Sequence, residues 1–386
     1  MVAGRFISRK LSFQGNLAAV AIAVSFFVII VAVAVSAGFR STVRGGLAAM
    51  DGDVRIMPYV SSTGEDPVPM PARLPSEEAL LALPGVEAIT PVVVRAGIVK
   101  AGDVVHGVVV KGVPRPLGEE AAPLSVSIPH RLSEITGLGE GDNLVTYFVG
   151  EKVRVRKFRI ARVHRDLVEL DDNLLVYASL EDLQRLNGWT QDQVSCLDVT
   201  LSSRTDGREA AGRIGHLLLS SGHPQEEALY VTSAQERHPQ VFDWLGLLDF
   251  NVVVLLLLMS VVAGFNMVSG LLIMLLRNVS TVGTLKTLGM TDGAIGRLFL
   301  RIGARAVLRG MLVGNALALL FCLVQGTTHL IPLDPANYFV SWVPVQVNLL
   351  WIAGSDALAF VLILLLLLLP TLVIASIDPA RTVKAD

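Results

Sequence analysis

Four apolar runs constrain the fold of this chain most, because about 20 mostly apolar residues suffice for a helix to cross the hydrocarbon core of a bilayer. None of the runs contains Asp, Glu, Lys or Arg. They are residues 16–37, 250–276, 310–328 and 357–375. Hydrophobic residues make up 52% of the chain and charged residues 17%, a balance typical of membrane proteins. The sequence therefore predicts an α-helical membrane protein with four transmembrane helices.

Basic residues near the ends of these runs predict the orientation, since cytoplasmic segments carry an excess of Lys and Arg. Residues 1–15 have three basic residues and no acid, the tail 376–386 has Arg381 and Lys384, and 277–309 holds Lys and Arg against a single acid, Asp292. The segment 329–356 has neither Lys nor Arg. We therefore expect both termini and 277–309 in the cytoplasm, with 38–249 and 329–356 on the other side of the membrane.

The N-terminal segment leaves two alternatives open. Residues 6–13 form either an amphipathic helix at the cytoplasmic interface or a basic flank that only orients the first run. The first run itself is expected to be an uncleaved anchor, because its 22 residues exceed the roughly 7–15 apolar residues of a signal peptide.

The segment 38–249 is long enough for a domain with its own core, and its pattern predicts a mixed α+β fold. The expected strands are 53–58, 88–94, 98–101, 104–113, 143–149 and 152–163, and the expected helices are 76–83, 180–186 and 206–220. A bulge near Arg156–Lys157 would bring Val153 and Val155 onto the same face as Phe158. This last strand is rich in Lys and Arg, which indicates either a surface for an anionic partner or a solvated strand face.

The sequence offers no catalytic constellation, cofactor motif or metal site, so the chain itself is not expected to be an enzyme. The seven histidines lack metal-ligand spacing, and no phosphate-binding loop motif occurs. The expected cytoplasmic segments are shorter than the roughly 40–60 residues that a small domain needs. Energy from ATP with its Mg²⁺ is therefore expected to come from a separate subunit.

The segment 277–309 is the largest expected cytoplasmic piece. Its pattern predicts that the second transmembrane helix continues to Leu288 and ends at Gly289, and that Thr291 caps the helix that follows. Two interpretations remain: a docking site for another protein, or a helical hairpin whose basic side chains lie at the lipid interface.

The residues Ser280–Gly289 read Ser-Thr-Val-Gly-Thr-Leu-Lys-Thr-Leu-Gly. This segment resembles the central loop of the FtsX-like permeases of ABC transporters, which commonly reads Arg-Glu-Ile-Gly-x-Leu-Lys-Ala-Leu-Gly. The resemblance implies a coupling helix that docks on the ATPase subunit, and Ser280–Thr281 replace the usual Arg-Glu pair. The implied ATPase-coupling residues are Val282, Gly283, Leu285, Lys286, Leu288, Gly289 and Met290.

Further segments resemble the LolC/LolE branch of this family, which also includes MacB. They are 35–39, 241–245, 263–269, 331–335, 343–345 and 377–381. The resemblance implies a bacterial inner-membrane complex with the large domain in the periplasm, two copies of an ABC ATPase, and a second permease subunit that is the same or a homologous chain. It further implies acylated lipoprotein as cargo and a periplasmic carrier that receives it; nucleic acid is not among the expected partners.

Extraction of acyl chains removes CH₂ groups from hydrocarbon at about 0.8 kcal/mol each, so the path must offer apolar surface. The outward ends of the first two runs are the candidate walls of a lipid or cargo cavity, although the same residues also suit a simple lipid-facing helix. The candidate residues are Phe26, Val35, Phe39, Leu258, Val262, Phe265 and Asn266. Asn266 is expected to bond to a neighbouring helix. In the third run, the small residues Gly310, Gly314 and Ala318 predict close helix packing.

Two alternative functions stay open beside lipoprotein release. One is MacB-like efflux or mechanotransmission with a periplasmic cargo, although MacB-type chains usually carry a fused ATPase domain. The other is an FtsX-like signalling scaffold that activates a periplasmic hydrolase, although such proteins usually have a smaller outer domain than 38–249.

Overall fold

A computed structural model describes residues 12–59, 67–101, 104–114, 122–150, 153–166, 168, 174–202 and 205–370. The predicted tail 376–386 and most of the predicted segment 1–15 lie outside this range. The chain separates into two compact units. The membrane unit comprises Met1–Ser41, Trp244–Pro332 and Trp342–Asp386, and the α+β unit comprises Thr42–Asp243 and Leu333–Ser341.

The helices are numbered in chain order. They are α1 (Ser12–Asp51), α2 (Glu77–Leu81), α3 (His130–Thr136), α4 (Leu180–Asn187), α5 (Gly207–Ser220), α6 (Pro224–Glu227), α7 (Ala234–Arg237), α8 (Pro239–Arg277), α9 (Val279–Thr287), α10 (Asp292–Thr328), α11 (Pro335–Tyr338) and α12 (Leu349–Leu366). Of these, α1, α8, α10 and α12 are long and apolar enough to cross a membrane by length and composition.

The helix α12 begins before the fourth apolar run, whose predicted start was residue 357. Asn348 caps the helix, because its Oδ1 accepts hydrogen bonds from the backbone N–H groups of Leu350 and Trp351 at 3.1 and 3.4 Å. Asp356, which hydropathy had placed in the preceding loop, therefore lies inside the helix.

Small residues on α10 allow it to pack closely against α1, as the sequence predicted. A Cβ atom on Gly314 would lie 2.4 Å from the carbonyl oxygen of Ala23 and 2.9 Å from Cβ of Phe26. A Cβ atom on Gly310 would lie 2.6 Å from Cγ2 of Ile22. The two glycines thus bring the α10 backbone against the α1 backbone.

Gly314→Leu is expected to destabilise the membrane unit by about 1–3 kcal/mol, because the added side chain forces two packed backbones apart. Thermal unfolding of the purified protein in detergent, followed by helical circular dichroism, measures the loss. The matched control is Gly354→Leu on α12, where an added Cβ meets no atom within 4 Å. Equal melting temperatures for the two variants would contradict this packing.

The strands of the α+β unit are also numbered in chain order. They are β1 (Val54–Pro58), β2 (Met70–Pro71), β3 (Val86–Ala101), β4 (Val104–Val113), β5 (Ser125–Pro129), β6 (Asn143–Phe148), β7 (Arg154–His164), β8 (Leu174–Ser179), β9 (Gln193–Val194), β10 (Cys196–Leu201) and β11 (Leu229–Ser233).

The long strand β3 takes part in two sheet regions. Its first half pairs with β10 and continues through β1 to β11 as an open sheet. Its second half pairs with β4, and the order runs on through β8, β5, β7 and β6, which pairs back with β3. These six strands therefore close into a small barrel. Buried side chains such as Val93, Val126 and Phe158 fill one continuous core that both regions share.

Two strand predictions were wrong. The strands predicted at 88–94 and 98–101 are one strand, β3, and Gly97 inside it permits the close approach of β6: a Cβ there would lie 2.7 Å from Cγ2 of Thr146. The bulge predicted near Arg156–Lys157 is absent, because β6 and β7 pair in unbroken register over that stretch. The irregularity lies instead at Ala161, opposite the step from Val126 to Ser127.

Without the predicted bulge, the side chains from Val153 to Ile160 alternate regularly between the two faces of the strand. Phe158 and Ile160 point into the barrel, and Val153 and Val155 lie outside with exposures of 63% and 45%. The prediction that all four share one face was therefore wrong. Arg156, Lys157 and Arg159 are exposed on the same strand.

Candidate functional site

The segment between α8 and α10 forms a compact helical turn. The helix α8 ends at Arg277, Asn278 departs from helical geometry, and the separate helix α9 follows. The predicted uninterrupted helix to Leu288 is therefore wrong, because the chain breaks at Asn278. Gly289 has φ +88°, a left-handed conformation that favours glycine and ends the helical segment as predicted.

The inner face of this turn packs on the membrane unit. Val282 is 2% exposed and belongs to the same apolar core as Ile295 and Phe299 of α10. Gly283 is buried, and Leu285 and Met290 are half-buried against that core. These residues hold α9 against α10.

The outer face of the turn is small. Leu288 is 78% exposed, and Gly289 beside it is exposed as well. Lys286 does not extend outward: its Nζ lies 2.8 Å from Oδ1 of Asp292, and its side chain is only 10% exposed. Of the seven predicted coupling residues, Leu288 and Gly289 are exposed and Val282 and Gly283 are buried. The other three, Leu285, Lys286 and Met290, are half-buried.

Four arginines form an exposed stripe along α10. They follow one another at intervals of four residues, so they share one face of the helix. They are Arg297, Arg301, Arg305 and Arg309. The stripe begins at Arg297 in the first part of α10 and ends at Arg309, the residue before the third apolar run.

The candidate cavity residues divide between two helices. On α1, Phe26 and Phe39 are buried and Val35 is half-buried. The ring of Phe39 packs edge-on against Trp244 of α8, with ring centroids 5.4 Å apart. The α1 residues therefore serve contacts within the membrane unit rather than an open wall.

The candidate cavity residues on α8 are exposed. Leu258, Val262 and Phe265 of α8 are 57%, 44% and 55% exposed. Asn266 is exposed beside them, so the predicted bond to a neighbouring helix of this chain is absent among the described residues. The structure therefore does not join the seven predicted cavity residues into one pocket; it offers an exposed apolar face on α8 that includes one amide.

Polar contacts join α1 and α8 near the start of α8. Oγ of Ser36 donates to Oδ1 of Asp249 at 2.7 Å, and the guanidinium of Arg40 pairs with the second oxygen of Asp249. Sequence hydropathy could not reveal this link, because it ended the apolar runs at these charged residues.

The α+β unit contains a set of buried and half-buried ionisable side chains that the sequence did not reveal, here called the junction cluster. Its members are Asp51, Arg55, Lys111, Asp198, Arg237 and His238. Arg55 and Asp198 lie directly opposite each other on β1 and β10, and Nε of Arg55 donates to Oδ1 of Asp198 at 2.7 Å. Nζ of Lys111 lies 2.6 Å from Oδ2 of Asp198. Burial by itself lowers the pKa of Arg55, but the carboxylates of Asp198 and Asp51, the nearby Cys196 and the hydrogen bond to Asp198 together raise that pKa above its ordinary value.

The junction cluster also ties the end of α1 to the residues just before α8. Arg237 donates to the carbonyl oxygens of Asp51 and Gly52 at 3.0 and 2.6 Å. Nε2 of His238 lies 3.0 Å from Oδ2 of Asp51. The last residue of α1 and the residue preceding α8 are therefore held together inside the α+β unit.

One serine–histidine–aspartate chain occurs among the described residues. Oγ of Ser127 lies 2.7 Å from Nδ1 of His164, whose Nε2 lies 3.3 Å from Oδ1 of Asp166. Ser127 is 3% exposed, so a substrate cannot approach its hydroxyl. The contact joins β5 to β7.

Comparison with known proteins adds to this picture. Residues 17–217 match the family model of the MacB-like periplasmic core domain, and residues 253–379 match that of the FtsX-like permease C-terminal region. The lipoprotein-releasing system transmembrane protein LolE of Haemophilus influenzae is 22% identical over 341 residues, which cover 80% of each chain.

Two solved structures are also similar. The periplasmic region of MacB from Actinobacillus actinomycetemcomitans is 11% identical, with a TM-score of 0.32, over 50% of this chain and 95% of that one. The extracellular domain of the ABC-type transporter YknZ from Gram-positive bacteria is 12% identical, with a TM-score of 0.30, over 47% of this chain and 99% of that one.

Proposed function

The chain belongs to the FtsX-like and MacB-type permeases of ABC transporters, and from this membership we propose that it releases acylated lipoproteins from the inner membrane. The observation that carries the choice of cargo is the likeness to LolE, which extends over 80% of both chains. The permease role itself follows from the family, whose members act with an ATPase subunit and a second permease subunit. In this proposal a periplasmic carrier receives the released lipoprotein.

The turn around α9 is the proposed contact for the ATPase. It lies in the segment whose basic excess predicts a cytoplasmic location, and it exposes Leu288 at the tip. An exposed leucine next to a glycine suits insertion into an apolar cleft of a partner. The buried residues Val282 and Gly283 then act indirectly, since they fix α9 on α10 and so transmit force applied at the tip.

The exposed face of α8 is the proposed surface toward the second permease subunit and the acyl chains. Leu258, Val262 and Phe265 supply apolar area for alkyl chains that leave the bilayer. Asn266 supports a protein partner on the same face, because an amide that faces hydrocarbon alone is costly and an interhelical hydrogen bond satisfies it.

The junction cluster is the proposed route by which helix movement reaches the α+β unit. Asp51 at the end of α1 binds both Arg237 and His238, which directly precede α8. The end of α1 and the residues before α8 are therefore joined to each other at the cluster. A displacement of either helix therefore acts on strands β1 and β10, which carry Arg55 and Asp198.

Release from proteoliposomes tests the proposed cargo. The chain is reconstituted with its ATPase and any second permease, and the release of a triacylated lipoprotein to a soluble carrier is measured with and without ATP. We expect ATP-dependent release of the acylated protein and none of a control that lacks its acyl chains. Efflux of a non-acylated cargo, or activation of a periplasmic hydrolase without release, would instead support one of the two alternative functions.

A further inference from the structure

The helix α12 of the membrane unit contains a carboxyl group next to the fourth apolar run. Asp356 is the one Asp, Glu, Lys or Arg of α12, and it lies about 10 Å along the helix from its first residue. Ionisable side chains within membrane-spanning helices are costly and mark functional sites. The family likeness and the proposed release function assign no role to this residue.

The partner of Asp356 is an amide on the adjacent helix. Nδ2 of Asn315, on α10, donates a hydrogen bond to Oδ2 of Asp356 at 2.5 Å. The second oxygen of each group, Oδ1 of Asn315 and Oδ1 of Asp356, is buried and has no hydrogen-bond partner among the described residues. The pair thus makes one hydrogen bond and leaves two buried oxygens without a donor.

The protonation state of Asp356 decides whether these two oxygens can form a hydrogen bond with each other. An ionised carboxylate has acceptors only, and the amide oxygen is an acceptor as well. Two acceptors cannot bond to each other, and a buried polar atom without a hydrogen-bond partner destabilises the fold. A proton on Oδ1 of Asp356 would turn that atom into a donor, for which Oδ1 of Asn315, the other buried oxygen of the pair without a partner, is the matching acceptor.

We propose that Asn315 and Asp356 form a proton-binding site that links α10 to α12. With the proton bound, the acid and the amide exchange two hydrogen bonds, one in each direction. The proton is the ligand, and Asp356 is the group that holds it. Loss of the proton leaves a negative charge between two apolar helices and removes one of the two bonds.

No other ionisable side chain is in contact with Asp356 among the described residues. The apolar runs 16–37 and 250–276, on the helices that pack with α10 and α12, contain none. Along α10 the nearest ionisable residues are Cys322, which is buried, and Arg309, which ends the arginine stripe; Asp249 and Arg40 pair with each other. An ionised Asp356 would therefore have no positively charged partner among the described residues.

Infrared spectroscopy of the full-length protein in lipid nanodiscs tests the proposal. A protonated carboxylic acid has a carbonyl band separate from the bands of ionised carboxylates, so the acid is visible at neutral pH. We expect such a band in the wild-type protein and its loss in Asp356→Asn. Asn315→Leu is expected to retain the band at a shifted frequency, because the carbonyl oxygen loses its amide donor.

Thermal unfolding at several pH values gives a second, independent readout. Stability that depends on a carboxyl proton held in the folded state falls as the pH rises above the range in which an ordinary carboxyl group titrates. Asn at position 356 reproduces the hydrogen bonds of the protonated acid, so Asp356→Asn is expected to fold and to lose less stability than the wild type over this range. A wild-type protein without the acid band at neutral pH, or a band that persists in Asp356→Asn, would overturn the proposal.

Discussion

Asp198→Asn is expected to lower the free energy of unfolding of the α+β unit by about 3–5 kcal/mol, the usual cost of removing one partner from a buried ion pair. Asp198 is 4% exposed and accepts hydrogen bonds from Arg55 and lies within 2.6 Å of Lys111 Nζ. The amide oxygen of Asn replaces one acceptor but not the negative charge. Arg55 then keeps Asp51 as a carboxylate partner, whereas the buried Lys111 keeps the carbonyl oxygen of Met50.

Urea unfolding of the full-length protein in detergent, followed by tryptophan fluorescence, measures this loss. Asp206→Asn is the matched control. Asp206 likewise accepts two hydrogen bonds, from backbone N–H groups, but it is exposed at the start of α5. Asn caps helices as well as Asp does, so the control is expected to stay within about 0.5 kcal/mol of the wild type. Similar midpoints for the two variants would show that the junction cluster contributes little to stability.

Leu288→Asp is expected to uncouple the permease from its ATPase while leaving the chain folded. Burial of a leucine side chain stabilises a contact by about 1.5–3 kcal/mol, and tenfold in affinity corresponds to about 1.4 kcal/mol. Loss of the side chain therefore weakens ATPase binding by at least about tenfold, and a charge placed in an apolar cleft weakens it further. Folding is spared because Leu288 is 78% exposed in this chain.

Titration of the purified permease with its ATPase, together with ATP-driven cargo release, measures the effect. Leu288→Met keeps an apolar side chain of similar volume and is expected to retain both binding and release. If Leu288→Asp binds the ATPase with unchanged affinity, the tip of the turn is not the contact.

The apolar runs and several elements of the α+β unit were predictable because their signals are local. The run 250–276 lies within α8, and Asp206 precedes α5 as its cap. Helix ends were less predictable, since Arg40 and Asp249 interrupt hydropathy but pair with each other inside continuous helices. The start of α12 depended on Asn348, a single capping side chain that a hydropathy window ignores.

Features that depend on tertiary pairing could not be read from the sequence. Arg55, Lys111 and Asp198 each lie between apolar neighbours on different strands, and only the register of β1 with β10 brings Arg55 opposite Asp198. The only local signal was a lone charge inside an apolar strand. The faces of Val153 and Val155 were misassigned for a related reason: a bulge was predicted near Arg156–Lys157, whereas the pairing with the neighbouring strands is regular there and irregular at Ala161.

The segment proposed for coupling was chosen from its sequence pattern, but the pattern does not show which of its residues are exposed. Its motif includes Val282 and Gly283, which pack on α10, as well as Leu288, which is exposed. Only the packing of α9 on Ile295 and Phe299 separates these two groups. The ion pair between Lys286 and Asp292 likewise required the turn at Gly289.

Cysteine crosslinking at the tip of the turn tests the central claim most directly. The chain has two cysteines, Cys196 and Cys322, and both are buried, so Leu288→Cys adds an accessible thiol. Leu330→Cys, 66% exposed at the other end of α10, is the control. In native membranes we expect a thiol crosslinker to join Leu288→Cys, but not Leu330→Cys, to an ABC ATPase subunit identified by mass spectrometry. A reactive Leu288→Cys that captures no ABC ATPase would contradict the role of this chain as a permease driven through that turn.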